Sequence, residues 1–133
     1  MIMIGAVNVP ALRQFYENGL GWTPWRAGGS GSIMYKVGHA VLVFIAEKLL
    51  ADERGESLAN GSRSSLAVFL ESQAEVDEVI EKAVGAGAKV TSAARNRAGG
   101  LYSAYFNDPE GNSWEVVWAP KMPMSATGEL VLP

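Results

Sequence analysis

The 133-residue sequence predicts an α+β fold made of two modules with the same order of elements, strand–helix–strand–strand–strand. Three observations predict it. Each half opens with an apolar strand that runs straight into a helix-start signal. Each helix is followed by short apolar runs separated by turn residues. The last two runs are joined by "DPEG", a sequence suited to a tight turn.

In the first half, residues 1–7 (MIMIGAV) are apolar throughout and read as a buried strand. Pro10 suits the first turn of a helix, with Asn8 or Val9 near its cap. Leu12, Phe15 and Tyr16 fall on one helical face, and Gly19 and Gly21 stop the helix. Trp22–Trp25 reads as a short strand, and "GGSGS" over residues 28–32 as a flexible turn. Ile33–Val37 and Ala40–Ala46 form two strands joined at Gly38-His39, a tight hairpin. Residues 47–63 are a polar connection with a helical turn at "EKLLADE".

The second half repeats the order. Ser65–Glu71 is a strand. Ser72 and Glu75 match the capping box S-x-x-E. Val76, Val79, Ile80, Ala83 and Val84 give an apolar helical stripe. A strand follows near Lys89–Thr91, then a loop over residues 92–100. Tyr102–Asn107 and Ser113–Trp118 complete the set. The repeat is one of element order and apolar pattern, not of residue identity.

The bulk numbers exclude several functions. The composition, 48% hydrophobic and 19% charged, is that of a globular chain long enough to bury a core. The net charge of −3 argues against a nucleic-acid or anionic-membrane partner, which calls for a basic patch. There is no cysteine and a single histidine, His39, so thiolate chemistry and a multi-histidine metal site within one chain are excluded. The N-terminal run has no basic flank and reads as a core strand, and no apolar run is long enough to cross a membrane. A cytoplasmic location is the expectation.

"FYENGLGW" (15–22) after a short strand, and "YFNDPEGNSWEVVW" (105–118) near the end, resemble the vicinal-oxygen-chelate superfamily, the glyoxalase, bleomycin-resistance and dioxygenase group. The pattern of Asp108, Pro109, Gly111 and Glu115 is the more specific part. The resemblance covers residues 1–120 as one domain, with modules at about 1–46 and 64–118. It implies two βαβββ modules forming a cupped mixed sheet, helices on the convex side, a ligand in the cup and a homodimer. The segment 121–133 lies beyond the family pattern, a tail that could contact a partner subunit.

Strand alternation then assigns faces. Ser113, Glu115 and Val117, with Ser103, Tyr105 and Asn107, are expected in the cup. So are Met1, Met3 and Gly5, and Ser65, Ala67 and Phe69. Ile2, Ile4 and Ala6, and Leu66, Val68 and Leu70, are expected on the helix-covered side. The resemblance places metal ligands of the family at positions held here by Met1, Leu42, Ser65 and Glu115. Only Glu115 is a ligand of the expected kind, and one carboxylate does not make a divalent site. No metal or other cofactor is therefore expected; were one present, it would be a divalent ion at Glu115.

A carboxylate in so apolar a strand is costly unless paired, solvated or hydrogen-bonded. Three readings of Glu115 stand: an acid or base held by Tyr105 or Ser103, a recognition group for a small molecule, or a structural partner of Arg26, Arg95 or Arg97. Recognition is favoured. Trp22 and Trp25 should face opposite ways, one into the core and the other forming an aromatic wall with Tyr105 and Phe69. The candidate site is thus Glu115 and Tyr105, with Ser103, Ser65, Phe69, Trp22, Trp25 and Leu42. The function expected is metal-free binding of a small, partly aromatic molecule, the alternative being a metal-dependent lyase, isomerase or dioxygenase.

Overall fold

The computed structural model describes all residues except 27, 28, 59–62, 123, 128, 132 and 133. Gly28 of the "GGSGS" turn and the last two residues of the tail therefore lie outside the described residues.

The first module contains β1 (Ile2–Ala6), α1 (Val9–Arg13), β2 (Ser32–Val37) and β3 (Ala40–Ala46). The second contains β4 (Ser64–Leu70), α3 (Gln73–Gly85), β5 (Lys89–Asn96), β6 (Tyr102–Asn107) and β7 (Ser113–Trp118). A connecting helix, α2 (Glu47–Arg54), lies between them. All seven strands form one mixed sheet in the order β2-β3-β1-β4-β7-β6-β5. β1 and β4, the first strands of the two modules, pair antiparallel at its centre, and each runs parallel to the last strand of its own module. The two halves are thereby related by a local twofold, as the repeated element order requires.

The helix starts follow from their caps. The Asn8 carboxamide oxygen accepts from the Ala11 amide at 2.9 Å, with Pro10 in the first turn. The Ser72 hydroxyl accepts from the Glu75 amide at 3.2 Å, and the Glu75 carboxylate accepts in return from the Glu71 amide at 2.8 Å. The return bond goes to the residue before the cap, a small departure from the usual capping box. α1 continues as a π-helical turn over Gln14–Gly19. That widening turns Phe15 outward, 56% exposed, so Leu12 and Tyr16 but not Phe15 pack on the sheet.

Three elements differ from expectation. Residues 22–25 form no strand; the first module has only an isolated bridge between Arg26 and Met34 at that place. The Trp25 amide donates to the Met34 carbonyl of β2 at 2.9 Å beside that bridge, while the Trp22 amide donates to the Tyr16 carbonyl at 2.9 Å, outside any ladder. Conversely, residues 92–96 are not loop but the continuation of β5. Register shifts between Val90 and Ser92 and between Ser92 and Arg95 break its alternation, which hides the strand in the sequence. "EKLLADE" is a full helix, α2, with Leu50 completely buried.

Two clusters pack under the helices. Ala6, Val9, Ile33, Tyr35 and Phe44 lie beneath α1, and Val76, Ala104 and Val116 beneath α3. Between them the convex side of the central strands is open: Ile2, Leu66 and Val68 are 40%, 37% and 43% exposed. The expectation that helices cover these three residues is corrected, because α1 and α3 sit over the outer strands of their modules. A third cluster, Met3, Val41, Val43, Ala67 and Tyr105, fills the concave side.

α2 and the residues after it enter from the end of β3. A Cβ on Gly5 would collide with Leu58 and approach Leu50 to 3.7 Å, so the small residue in β1 is what lets this segment lie against the sheet. The far end of α2 is stopped by Gly55, whose φ of 70° is left-handed and which lies against the Thr91 carbonyl of β5.

Candidate functional site

Glu115 sits in the middle of β7, directly opposite Tyr105 of β6 and Ala67 of β4. Its side chain points into the concave face and the residue is only 8% exposed. The hairpin of β6 and β7 sets this register. Gly111 donates to the Asp108 carbonyl at 2.9 Å to close the turn, and the Asp108 carboxylate accepts from the Glu110 and Asn112 amides. Together with a bond from the Asn112 carboxamide at 2.8 Å, which contributes most, these bonds hold the Asp108 carboxyl below its ordinary value.

Burial pushes the Glu115 carboxyl above its ordinary value. Hydrogen bonding with Ser103 and Tyr105 and the charge of Arg97 oppose that rise, while Glu53 adds to it. Burial and the neighbouring Glu115 carboxylate likewise push the Tyr105 phenol up. Glu115 is thus an acid whose proton is retained more readily than in water, beside a phenol that acts as a donor.

The second charged element is Arg97, just beyond β5. Its side chain is only 4% exposed. Nε donates to the Ser103 hydroxyl at 3.2 Å and Nη2 to the Ser92 hydroxyl at 2.9 Å. Nη2 also reaches the Ser103 carbonyl at 3.4 Å. Nη1 turns to α2, where it meets the Glu53 carbonyl at 3.4 Å and the Glu53 carboxylate at 3.0 Å. The guanidinium carbon lies 5.5 Å from the Tyr105 ring centre. Ser103 therefore stands between the two charges, accepting from Arg97 and interacting with Glu115. Of the three arginines considered as partners of Glu115, Arg97 alone acts on it, through space; its ion-pair partner is Glu53. Arg95 is exposed, and Arg26 stacks over Trp25 at 4.9 Å.

The remaining candidates divide. Trp25 and Phe69 pack against the concave cluster. Trp22 packs on the α1 side, its ring centre 4.9 Å from Tyr16 and 5.4 Å from Tyr35. Leu42 is also on the α1 side, not in the cup. It pairs with Ile2, while Val43 pairs with the inward-facing Met3, so Val41 and Val43 are the cup residues of β3. Ser65 is buried in the cup, but its hydroxyl is engaged with the Ser113 hydroxyl at 2.9 Å. His39 is exposed on the β2–β3 hairpin.

Sequence reasoning missed Glu53 and Met34 as contributors; it placed Met3 in the cup, where it lies, and named Arg97 only as one of three arginines that could pair with Glu115. Glu53 is carried to the end of β5 by α2, whose buried residues are Leu50 and Arg54; with one apolar anchor the helix gives little sequence signal. The cup is also fuller than expected. Trp25, Met34, Phe69 and Leu130 of the tail all pack against the concave cluster, and a bridge between Met124 and Leu130 shapes the tail over it. A surface cleft of about 460 Å³ lined by Val9, Arg13 and Glu17 lies by α1 and does not include Glu115.

A divalent ion is poorly served here. Around Glu115 stand Met3, Ala67 and Tyr105, with Ser65 already bonded to Ser113. Among the described residues no three His, Cys, Asp or Glu side chains converge. One carboxylate does not supply the three protein ligands of an ordinary catalytic site, so the donor set does not fit the family's metal.

The chain is similar to several solved structures. A glyoxalase-related enzyme from Fulvimarina pelagi is 26% identical, with a TM-score of 0.51, over 97% of this chain and 93% of that one. A chain described as NAD-dependent benzaldehyde dehydrogenase from Legionella pneumophila is 15% identical, with a TM-score of 0.68, over 89% and 96%. The Mn(II)-bound glyoxalase from Novosphingobium aromaticivorans is 21% identical, with a TM-score of 0.61, over 94% of this chain and 41% of that one. The last two likenesses show the fold alone. No curated protein sequence matches. The model of the Glyoxalase/Bleomycin resistance protein/Dioxygenase superfamily matches residues 1–116; with the paired modules and the concave face, this makes the chain a member of that superfamily.

Proposed function

We propose that the protein binds a small organic molecule on the concave face around Glu115 and Tyr105 and does so without a divalent metal. The observation that carries this reading is the composition of the site. It has one buried carboxylate, one buried guanidinium, two hydroxyl donors and an apolar, aromatic surround. Such a set recognises and orients a ligand but lacks the ligands that metal-based lyase, isomerase or dioxygenase chemistry draws on. Trp25, Phe69 and Tyr105 supply the aromatic wall. Trp22 and Leu42 drop out of the proposed contact set.

A homodimer and a cytoplasmic location belong to the same proposal. The exposed Ile2, Leu66 and Val68 on the central strands support a second copy covering that face.

The competing reading, an enzyme, is favoured by one observation, the upward shift of the buried Glu115 carboxyl, which suits a proton-transfer group. A thermal-shift screen of aromatic and carboxylated metabolites, without added metal, tests binding. A ligand at about a hundred times its Kd stabilises by about 2.7 kcal/mol, a rise of several degrees. Glu115→Gln should change the affinity of every hit. A screen with no hits, or hits that appear only with added divalent ion, would overturn the proposal.

A further inference from the structure

Two groups of the chain itself occupy the concave site, and their chemistry describes what they keep out. Arg97 is preorganised by the sheet: Nε and Nη2 are fixed by Ser103 and Ser92 on β6 and β5. Only Nη1 depends on another element, through Glu53 of α2. The two sides of that ion pair are unequal. The Arg97 side chain is 4% exposed, and that of Glu53 is 39% exposed. A guanidinium so deeply placed must keep an anion, whereas the Glu53 carboxylate can rotate into water while Leu50 keeps α2 in place. The second occupant is Leu130, which lies on the cluster of Met3, Val41, Val43, Ala67 and Tyr105. Arg97 and this cluster meet at the Tyr105 ring, 5.5 Å from the guanidinium carbon.

We propose that the ligand is a small monocarboxylic acid with an apolar body, its carboxylate taking the place of the Glu53 carboxylate on Arg97 Nη1 and its body the place of Leu130. This deepens the reading of the concave face as a ligand site and rests on it. The exchange of one carboxylate for another leaves the charge of the site unchanged. A phosphate dianion would add a second negative charge close to the buried Glu115, and the neighbouring Arg54 is already paired with Glu56 at 3.7 Å. The planar fork of Arg97 matches a carboxylate in shape as well as charge. The apolar cluster adjoining it favours an aryl or branched alkyl body.

Isothermal titration of the full chain with benzoate, with neutral benzamide of the same shape and with inorganic phosphate tests this. Benzoate should bind tighter than benzamide, and phosphate should not compete. Glu53→Gln, a nearly isosteric change at a part-exposed position, removes the internal competitor and should tighten benzoate about tenfold while leaving benzamide unchanged. Arg97→Lys should weaken benzoate about tenfold or more, and Leu130→Ala should tighten both aromatic probes. Equal binding of benzoate and benzamide, benzoate affinity unmoved by Glu53→Gln, or phosphate competing with benzoate overturns the assignment of a monocarboxylate while leaving a ligand site in the cup. Failure of both aromatic probes to bind the native chain, Glu53→Gln and Leu130→Ala overturns the assignment and the ligand-site reading together.

Discussion

Tyr105 and Glu115 face each other across β6 and β7, both turned into the concave face and both buried. The phenol donates where the carboxylate needs a donor, yet burial still dominates and raises the carboxyl above its ordinary 4.5. The folded chain therefore holds this proton more tightly than the unfolded chain. By linkage its stabilising contribution is fully present below the unfolded value and is lost as pH rises through the folded one. Glu115→Gln does not titrate. Its melting temperature relative to the native protein should be lowest at acid pH, below the unfolded carboxyl value, and climb as pH rises through the raised folded one. Calorimetry across that range checks this; a relative melting temperature that falls with pH would mean that the fold stabilises the ionised carboxylate.

Tyr105→Phe keeps the ring under Arg97 and removes the hydroxyl. It should cost about 1 kcal/mol in urea unfolding, the usual value of one buried hydrogen bond. Because that hydroxyl lowers the Glu115 carboxyl, its loss should move the Glu115 titration further up. Carbon-13 NMR of the side-chain carboxyl reads the direction, and a downward move would contradict the arrangement described.

Gly55→Ala should destabilise by at least about 2 kcal/mol, since a left-handed position is unfavourable for alanine and a methyl there meets the Thr91 carbonyl. Equilibrium unfolding measures it. A neutral effect would show that α2 is not held against β5, and the contact between Glu53 and Arg97 would lose its support.

Leu130→Ala removes a partly buried side chain from the mouth of the cup. It should cost about 1–2 kcal/mol in stability and raise the fluorescence of an environment-sensitive anilinonaphthalene dye, as Trp25 and Phe69 become more accessible. No change in either would place the tail elsewhere in solution.

The sequence carried the architecture further than the site. Where polar and apolar residues alternate, as in β6 and β7, the inward set could be read directly, and Glu115, Tyr105 and Ser103 lie where alternation puts them. β3 defeated the same logic. Ala40–Ala46 is apolar at every position, so nothing local distinguishes Leu42 from Val41 and Val43; its face is decided by pairing with β1 and the hairpin at Gly38-His39. β5 was hidden by its two register shifts, and Trp22–Trp25 mimicked a strand by composition alone. The pairing of Arg97 with Glu53 spans 44 residues and two elements. No periodicity signals such a contact; it follows only from where Gly5 and Gly55 allow α2 to lie.

The central claim is that the cup holds a buried acid without the companions of a metal site. Elemental analysis of protein purified without chelator, followed by titration of manganese, zinc and nickel into the native chain and Glu115→Gln, tests it most directly. The account predicts well under one ion per chain and weak binding that is the same in both proteins. One tightly held ion per chain, lost on Glu115→Gln, would contradict it.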